Sequence, residues 1–123
     1  MSDFKKIADE IMTVDDAIRY VGVIGEKGKI YHGQMKEGKK LLTTKKEQEV
    51  LSADLSVIKL IQGLYDESLG RVTFIHTVRD KLHQLVFYID NMIVCVSCER
   101  NIDNHKIAEI SNKIEPIIIK LIG

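Results

Sequence analysis

The stretch from Arg71 to Cys98, RVTFIHTVRDKLHQLVFYIDNMIVCVSC, constrains the fold more than any other part of the chain. Asp90-Asn91 lies between two apolar runs, and both residue types tolerate the positive φ of a tight two-residue turn. The pairs that such a turn predicts are Ile89–Met92, Phe87–Val94, Leu85–Val96 and His83–Cys98. Asp80-Lys81 predicts a second turn, so the stretch is expected to form three consecutive antiparallel strands.

Alternation of side chains along these strands separates two faces of the predicted sheet. One face is nearly all apolar and is expected to line the core, with Val72, Phe74, His76 and Val78 joining it if the second turn also has an even residue count. The other face is mixed, and it carries Thr73, Ile75, Thr77, Val86, Tyr88, Ile93 and Cys95. A mixed face needs an amphipathic cover, which either a helix of the same chain or a second copy would provide.

The remaining elements follow from periodicity and turn chemistry. Helical spacing predicts a first helix over 3–12, capped by Ser2 or Asp3, and Ile18 to His32 predicts a hairpin that turns at Glu26-Lys27-Gly28. Residues 33–43 have the composition of a loop. Thr44 with Glu47 fits a capping box, so a long second helix is expected from there to about Tyr65.

A third helix follows Asn101–Asn104, with a kink near Asn112 or a break into two pieces because of Pro116. Its apolar stripe is Ile107, Ile110, Ile114, Ile117, Ile118 and Leu121.

Length and charge narrow the class of protein. A chain of 123 residues is the size of one domain, which we assign to 1–123, and its 45% hydrophobic content is enough for a core. Eighteen basic and eighteen acidic residues cancel, so no global charge attracts nucleic acid or an anionic membrane. No apolar run approaches the roughly 20 residues of a membrane span, and the first residues lack a signal-peptide core. We expect a cytoplasmic protein whose two cysteines remain thiols.

Several motifs suggest a chemical function, but their residues are not placed as that chemistry would require. Cys95 and Cys98 resemble a metal or redox pair, but residues three apart on a strand point to opposite faces, so both are expected to be buried apolar residues. His83 faces Cys98 in the predicted register, but no third group is apparent that would orient a nucleophile and base. Glycines 22, 25 and 28 lie within a hairpin rather than before a helix, which excludes a phosphate loop. Lysines 36, 39, 40, 45 and 46 form a basic patch around the start of the second helix, which indicates a solvated loop or, as the alternative, a surface for an anionic partner. We therefore expect no catalytic residues, no metal and no cofactor.

The order helix, two strands, helix, three strands, helix resembles that of roadblock and profilin-like domains over nearly the whole chain. In sequence, the segments IRYVGVIGEKGKI and MKEGKKLLT and the helix after them resemble a family of small archaeal proteins from ammonia-oxidising lineages, which brings no established activity. The roadblock resemblance implies a homodimer formed through the second helix and third strand, and a platform for small GTPases or other assemblies. The interface residues expected on this basis are Leu51, Leu55, Ile58, Thr73, Ile75 and Thr77.

These observations predict an α+β domain in which a five-stranded antiparallel sheet lies between the second helix on one face and the first and third helices on the other. The leading functional hypothesis is a non-enzymatic homodimeric interaction or scaffold module, with a small GTPase as a possible kind of partner. The alternative is a small-molecule sensor of the PAS type, whose pocket between sheet and helix would use His76, His83 or Tyr88 as polar groups.

Overall fold

The structure is a computed structural model that describes residues 3–122, without the Glu26 side chain. Ser2, the alternative cap of the first helix, lies outside the described residues. The described elements, in chain order, are α1 (Phe4–Met12), β1 (Ile18–Ile24), a 3₁₀ turn (Glu26–Gly28), β2 (Ile30–Met35), α2 (Lys45–Gly63), α3 (Asp66–Leu69), β3 (Phe74–Val78), β4 (Leu82–Ile89), β5 (Met92–Glu99) and α4 (Asn104–Ile122).

The five strands form one antiparallel sheet in the order β2-β1-β5-β4-β3. The predicted meander is confirmed: the register pairs Ile89 with Met92 and His83 with Cys98, and Asp90 adopts the positive φ (51°) of the tight turn. The turn before β4 has the expected even residue count. Phe74 therefore lies opposite Phe87, on the same face of the sheet. β1 pairs with β5 and thereby joins the two hairpins in the middle of the sheet.

Four local expectations were wrong. β3 begins at Phe74 rather than Arg71, and Val72 therefore packs with the cluster on the other sheet face. β2 continues through Gly33 to Met35, where a loop was expected, because these residues pair with Tyr20 to Gly22 of β1. α4 is continuous through Pro116, so the expected break into two pieces is wrong, while the kink near Asn112 stays a prediction. The short helix α3 was not predicted, and its four residues follow α2 so closely that periodicity does not separate them.

The larger core lies between the sheet and the α1–α4 layer. Asp3 caps α1 by accepting a hydrogen bond from the Lys6 amide, and Asp103 does the same for Lys106 at the start of α4. Both helices turn isoleucines towards the strands, at the spacing that the sequence predicts. The fully buried members include Ile7, Ile11, Ile18, Leu85, Phe87, Val94, Val96, Ile110, Ile114 and Ile118.

α2 covers the opposite sheet face, where the core is much smaller. The predicted capping box is present: the Thr44 hydroxyl accepts from the Glu47 amide, and the Glu47 carboxylate accepts from the Thr44 amide. Leu55 reaches the sheet and packs in a cluster with Ile24, Val86, Tyr88, Ile93 and Cys95. Gly28 in the β1–β2 turn lies directly against the backbone of Ala53. The predicted arrangement, with helices on both faces of the sheet, is confirmed. α2 buries fewer side chains on its face than α4 buries on the other.

Candidate interaction surface

α2 has apolar residues on two sides, and only one side is used within the chain. Because successive residues of a helix are about 100° apart, Leu55 and Val57 point to nearly opposite sides. Leu55 and Ser52 are buried against the sheet. Val50, Val57 and Leu64 recur every seven residues and drift by only about 20° per step, so they form a second stripe along the helix. We call this stripe, with Leu60 and Ile61 beside it, the outer face of α2.

The outer face is exposed along its whole length. Its side chains are among the most accessible large apolar groups in the described chain: Leu60 is 74% exposed, Leu64 is 77% exposed, and Leu69 in α3 is 81% exposed. A continuous apolar stripe of this kind is rare on monomeric proteins and is typical of an interface. α4, in contrast, leaves only Ile119 strongly exposed among its large apolar side chains.

An open sheet edge lies beside this helix. Within the described chain β3 pairs only with β4, so its other side presents unpaired backbone amides and carbonyls. Thr73 and Thr77 are exposed, and Ile75 is half-buried beside the cluster under α2. An exposed edge strand next to an apolar helix face is a surface that a second chain can extend by strand pairing.

The six predicted interface residues lie in this region in different environments. Leu51 is half-buried, Ile58 is exposed, and the β3 positions border the open edge. Leu55 is 8% exposed and packs on the chain's own sheet, so it offers little surface to a partner. Val57, Leu60 and Leu64 were not among the interface residues expected from the sequence, although all three are strongly exposed.

A groove of about 720 Å³ lies between the N-terminal half of α2 and the β3–β4 turn. Its apolar walls come from Leu42, Val50, Leu51 and Leu82. Charged side chains also line it, with Arg79 and Lys81 from the turn and Glu47 and Asp54 from α2. The groove is thus continuous with the outer face at Val50.

His76 and His83 form a hydrogen-bonded pair that links the edge strand to the core. His83 is fully buried, and its Nε2 lies 2.9 Å from the Ile102 carbonyl oxygen, which can only accept. His83 Nε2 therefore donates, and its Nδ1 accepts from His76 Nε2 at 2.9 Å. Burial, followed by the neighbouring His83, lowers the pKa of His76. The pair ties β3, β4 and the β5–α4 connection together.

The three polar groups of the predicted ligand pocket do not lie together. His76 and His83 belong to the sheet face covered by α1 and α4, whereas Tyr88 belongs to the face covered by α2. The Tyr88 hydroxyl is buried without a hydrogen-bond partner among the described residues, beside a hollow of about 100 Å³ that Lys59, Gln62 and Arg71 also line. Burial raises the pKa of Tyr88. A single pocket that uses both histidines and the tyrosine is excluded.

The cysteines lie on opposite faces of β5, as their spacing predicts. Cys98 is part of the larger core, and Cys95 is part of the cluster under α2. Burial raises the pKa of each thiol to about 12, so neither is a thiolate at neutral pH. His83 lies opposite Cys98, but its ring nitrogens are already engaged. This pair therefore cannot supply a nucleophile and a base.

The lysine-rich loop is partly neutralised within the chain. Lys39 forms an ion pair with Glu99 at 3.0 Å, and Arg19 contacts the same carboxylate at 3.0 Å. The hydrogen bond from Lys39, aided by the charge of Arg19, lowers the pKa of Glu99. Lys36 pairs with Asp16 at 3.7 Å. The loop is therefore anchored to the ends of β1 and β5, and Lys40, Lys45 and Lys46 remain exposed.

Two surveys of the described residues gave negative results. Over 3–122, no group of three or more His, Cys, Asp or Glu side chains is arranged to hold a metal ion. In the same range, no helix combines the length and the apolar character that crossing a membrane requires.

The element order, sheet order and helix layers are those of a roadblock/LC7 domain. MglB, the gliding protein of Thermus thermophilus, superposes with a TM-score of 0.74 at 10% identity over 95% of this chain and 86% of its own. MglB of Myxococcus xanthus gives 0.72 at 11% identity over 98% and 97% of the two chains. The roadblock/LC7 domain from Streptomyces avermitilis gives 0.62 at 11% identity, covering 96% and 99%.

No protein-family model matches the sequence, and no curated protein matches it. At these identities the structural comparisons establish the fold. They confirm the α+β class and the roadblock-like resemblance that the element order implies.

Proposed function

We propose that this chain is a non-enzymatic interaction module that forms a homodimer through the apolar side chains that α2 exposes next to the edge strand β3. The dimer would serve as a platform for a protein partner such as a small GTPase, in the cytoplasm of an archaeal cell. The observation that carries the proposal is the exposed stripe of Val50, Val57 and Leu64 beside an unpaired sheet edge.

Symmetry favours a second copy as the occupant of this surface. Two copies related by a two-fold axis present the same patch to each other, so one apolar stripe and one open edge are sufficient for closure. If β3 paired with its copy, the two five-stranded sheets would join through their β3 edges, and the β2 edges would remain at the two ends. The resemblance to roadblock domains implies the same elements for dimer formation. One neighbour is described as MglB with a tetrameric arrangement, which shows that a chain of this fold can self-associate.

Two matched variants test the interface. Val57 on α2 and Ile119 on α4 are both 53% exposed, so a glutamate at either position enters a similar local environment in the single chain. We expect Val57→Glu to be monomeric in light scattering and Ile119→Glu to remain dimeric. Because Leu55 is buried within the chain, its substitution would confound loss of folding with loss of association. A dimeric Val57→Glu protein with an unchanged dissociation constant would contradict the proposed interface.

The platform role is tested by presenting the purified dimer to small GTPases loaded with GDP or with a non-hydrolysable GTP analogue. Calorimetric binding to one nucleotide state would support a GTPase partner. Binding that persists in the monomeric Val57→Glu variant would show that the partner does not need the dimer. If no GTPase binds in either state, this choice of partner is wrong, while light scattering still decides whether the homodimer exists.

A small-molecule role is the second candidate, and the observation that favours it is the unpartnered Tyr88 hydroxyl beside the hollow near Lys59 and Arg71. A polar group left buried without a partner costs about 1–3 kcal/mol, which a bound ligand could offset. Native mass spectrometry of the purified protein tests this candidate. A bound molecule that is lost in Tyr88→Phe would support it, and a spectrum of the bare chain would contradict it.

A further inference from the structure

The side of α2 that faces the sheet changes from apolar to polar towards the end of the helix. Leu55 is buried there, and Lys59 and Gln62 follow at spacings of four and three residues, so they lie on the same side. Both are half-buried, although lysine and glutamine side chains are mostly exposed in proteins. They line the hollow of about 100 Å³ that Tyr88 of β4 also lines. Polar groups therefore occupy the place where a continued apolar pattern would extend the core.

The segment that follows α2 supplies the rest of the lining. Asp66 at the start of α3 is half-buried, and Arg71 lies just after Gly70, whose φ of +83° ends that helix. The Tyr88 amide donates to the Thr73 carbonyl oxygen at 3.2 Å, so the residues before β3 are fixed beside β4. Asp66 and Arg71 both line the hollow. Four separate segments of the chain thus bring polar side chains to one small space.

The hollow carries charges of both signs. In the part of the chain that the structure describes, its charged side chains are Lys59, Asp66 and Arg71, and none of the three takes part in an ion pair. Lys59 Nζ donates to the Asp90 carbonyl oxygen at 2.6 Å, which engages one of its three N–H groups. Asp66 lies beside the last turn of α2, since a Cβ at Gly63 would be 3.8 Å from its Oδ2. The carboxylate and the carbonyl end of α2 both favour a cation there, whereas Lys59 and Arg71 favour an anion.

The size of the hollow limits what it can hold. Pockets for drug-sized molecules measure roughly 300–1,000 Å³, so a nucleotide or a coenzyme is too large. A volume of about 100 Å³ corresponds to about three water molecules at about 30 Å³ each, which suits a molecule as small as glycine or alanine. The Tyr88 hydroxyl is buried without a hydrogen-bond partner among the described residues, and most buried hydroxyls have one.

We infer that this hollow binds a free amino acid with a small side chain. Lys59 and Arg71 bind the carboxylate of the ligand, and the Tyr88 hydroxyl donates to it. Asp66 binds the ammonium group. A simple carboxylate or phosphate would leave Asp66 beside a like charge, and a simple amine would face two cations, so only a ligand with both charges matches the lining. The inference rests on the small-molecule role, for which it names the class of ligand, and does not depend on the homodimer.

Titration calorimetry on the purified native protein tests the class of ligand with simple probes. Glycine and alanine carry both charged groups, whereas acetate and phosphate offer only the anion and methylamine offers only the cation. We expect glycine or alanine to bind on the order of tenfold more tightly than acetate, phosphate or methylamine, because each of those lacks one charge-assisted contact.

Matched variants test which side chains hold the ligand. Asp66→Asn and Arg71→Gln should each weaken binding of the amino acid on the order of tenfold. Their controls are Glu67→Gln in the same short helix and Arg100→Gln, two exposed positions that do not line the hollow, and both should leave the affinity unchanged.

Tyr88→Phe separates binding from stability. It should weaken binding without lowering the free energy of unfolding of the ligand-free protein, because the hydroxyl that it removes has no partner within the described residues.

The outcomes separate this inference from the roles on which the rest of the proposal depends. Acetate or phosphate that binds as tightly as glycine, with no effect of Asp66→Asn, would overturn the amino acid and leave a small-molecule role for an anion. No binding of either amino acid at about 10 mM would overturn the inference. Native mass spectrometry of the purified protein then decides whether a different small molecule is held, and light scattering decides the homodimer in every case.

Discussion

α2 and α4 are both 19 residues long and cover opposite faces of one sheet, yet they use their apolar residues differently. α4 buries Ile107, Ile110, Ile114 and Ile118 on one side. α2 buries only Ser52 and Leu55, and it exposes more apolar side chains than it buries. The core on the α4 side of the sheet is therefore closed, whereas α2 leaves many of its apolar side chains exposed. This difference is the basis of the proposal that another chain covers the exposed side of α2.

The largest loss of stability is expected on the α4 side of the sheet, where the core is closed. Ile114 in α4 is fully buried, so Ile114→Ala should remove about 2–5 kcal/mol from the free energy of unfolding, because it leaves a cavity among packed side chains. Ile119 on the same helix is exposed, and Ile119→Ala should change that free energy by less than about 0.5 kcal/mol. Urea unfolding followed by circular dichroism measures both. Equal losses at the two positions would show that α4 does not have one buried side.

The attachment of α2 to the β1–β2 turn is the next test. Gly28 has a φ of +76°, and a Cβ there would lie 2.6 Å from the Ala53 Cα. Gly28→Ala should therefore cost more than about 1 kcal/mol, since the backbone conformation and the contact both oppose a side chain. Gly38→Ala is the matched control, because its φ is +82° and the space around it is open. Hydrogen exchange should show loss of protection in α2 with Gly28→Ala and little change with Gly38→Ala.

The helix cap at the start of α2 should contribute less to the free energy of unfolding than the buried side of α4 does. Thr44→Ala removes the hydroxyl that caps the helix and should cost about 1 kcal/mol, while Thr44→Ser keeps the cap. If α2 is held mainly by a few anchors and by a second chain, amides in its first turns should exchange faster in Thr44→Ala while α4 is unaffected. Uniform destabilisation of both helices, measured by hydrogen exchange, would contradict this difference between the two layers.

The histidine pair predicts a modest pH dependence on the α4 side of the sheet. The pKa of His76 in the folded chain lies below its ordinary value of 6.5, so the unfolded chain binds the proton more readily. The resulting stability is fully present above pH 6.5 and is lost as the pH falls through the lower pKa of the folded state. His76→Gln can still donate to His83 but does not titrate in this range. We expect it to flatten the dependence of the melting temperature on pH below neutrality, and an unchanged profile would contradict this role.

The sequence predicted the parts of the fold that depend on local chemistry. The Asp90-Asn91 turn determined the register of β4 and β5, and the Thr44–Glu47 pair located the start of α2. The pairing of β1 with β5 joins segments that are far apart in the chain and is not encoded in any local pattern. The end of β3 nearest α3 was misplaced for a related reason: whether Val72 belongs to the core face depends on where the strand begins.

The interface residues expected from the sequence stay a prediction, and the exposed apolar side of α2 was not foreseen. Apolar residues spaced at the helical period of 3.6 predict that α2 has an apolar side. The spacing does not show that the helix has a second apolar side. Leu55 and Val57 illustrate the difference, since only the position of the sheet shows which of them is buried.

The central claim is that the exposed side of α2 is an interface between two copies of this chain. The most direct measurement is the mass of the purified native protein by light scattering over a dilution series. We expect twice the 14.0 kDa of one chain at high concentration, and 14.0 kDa for Val57→Glu under the same conditions. A native protein that remains at 14.0 kDa at every concentration would contradict it.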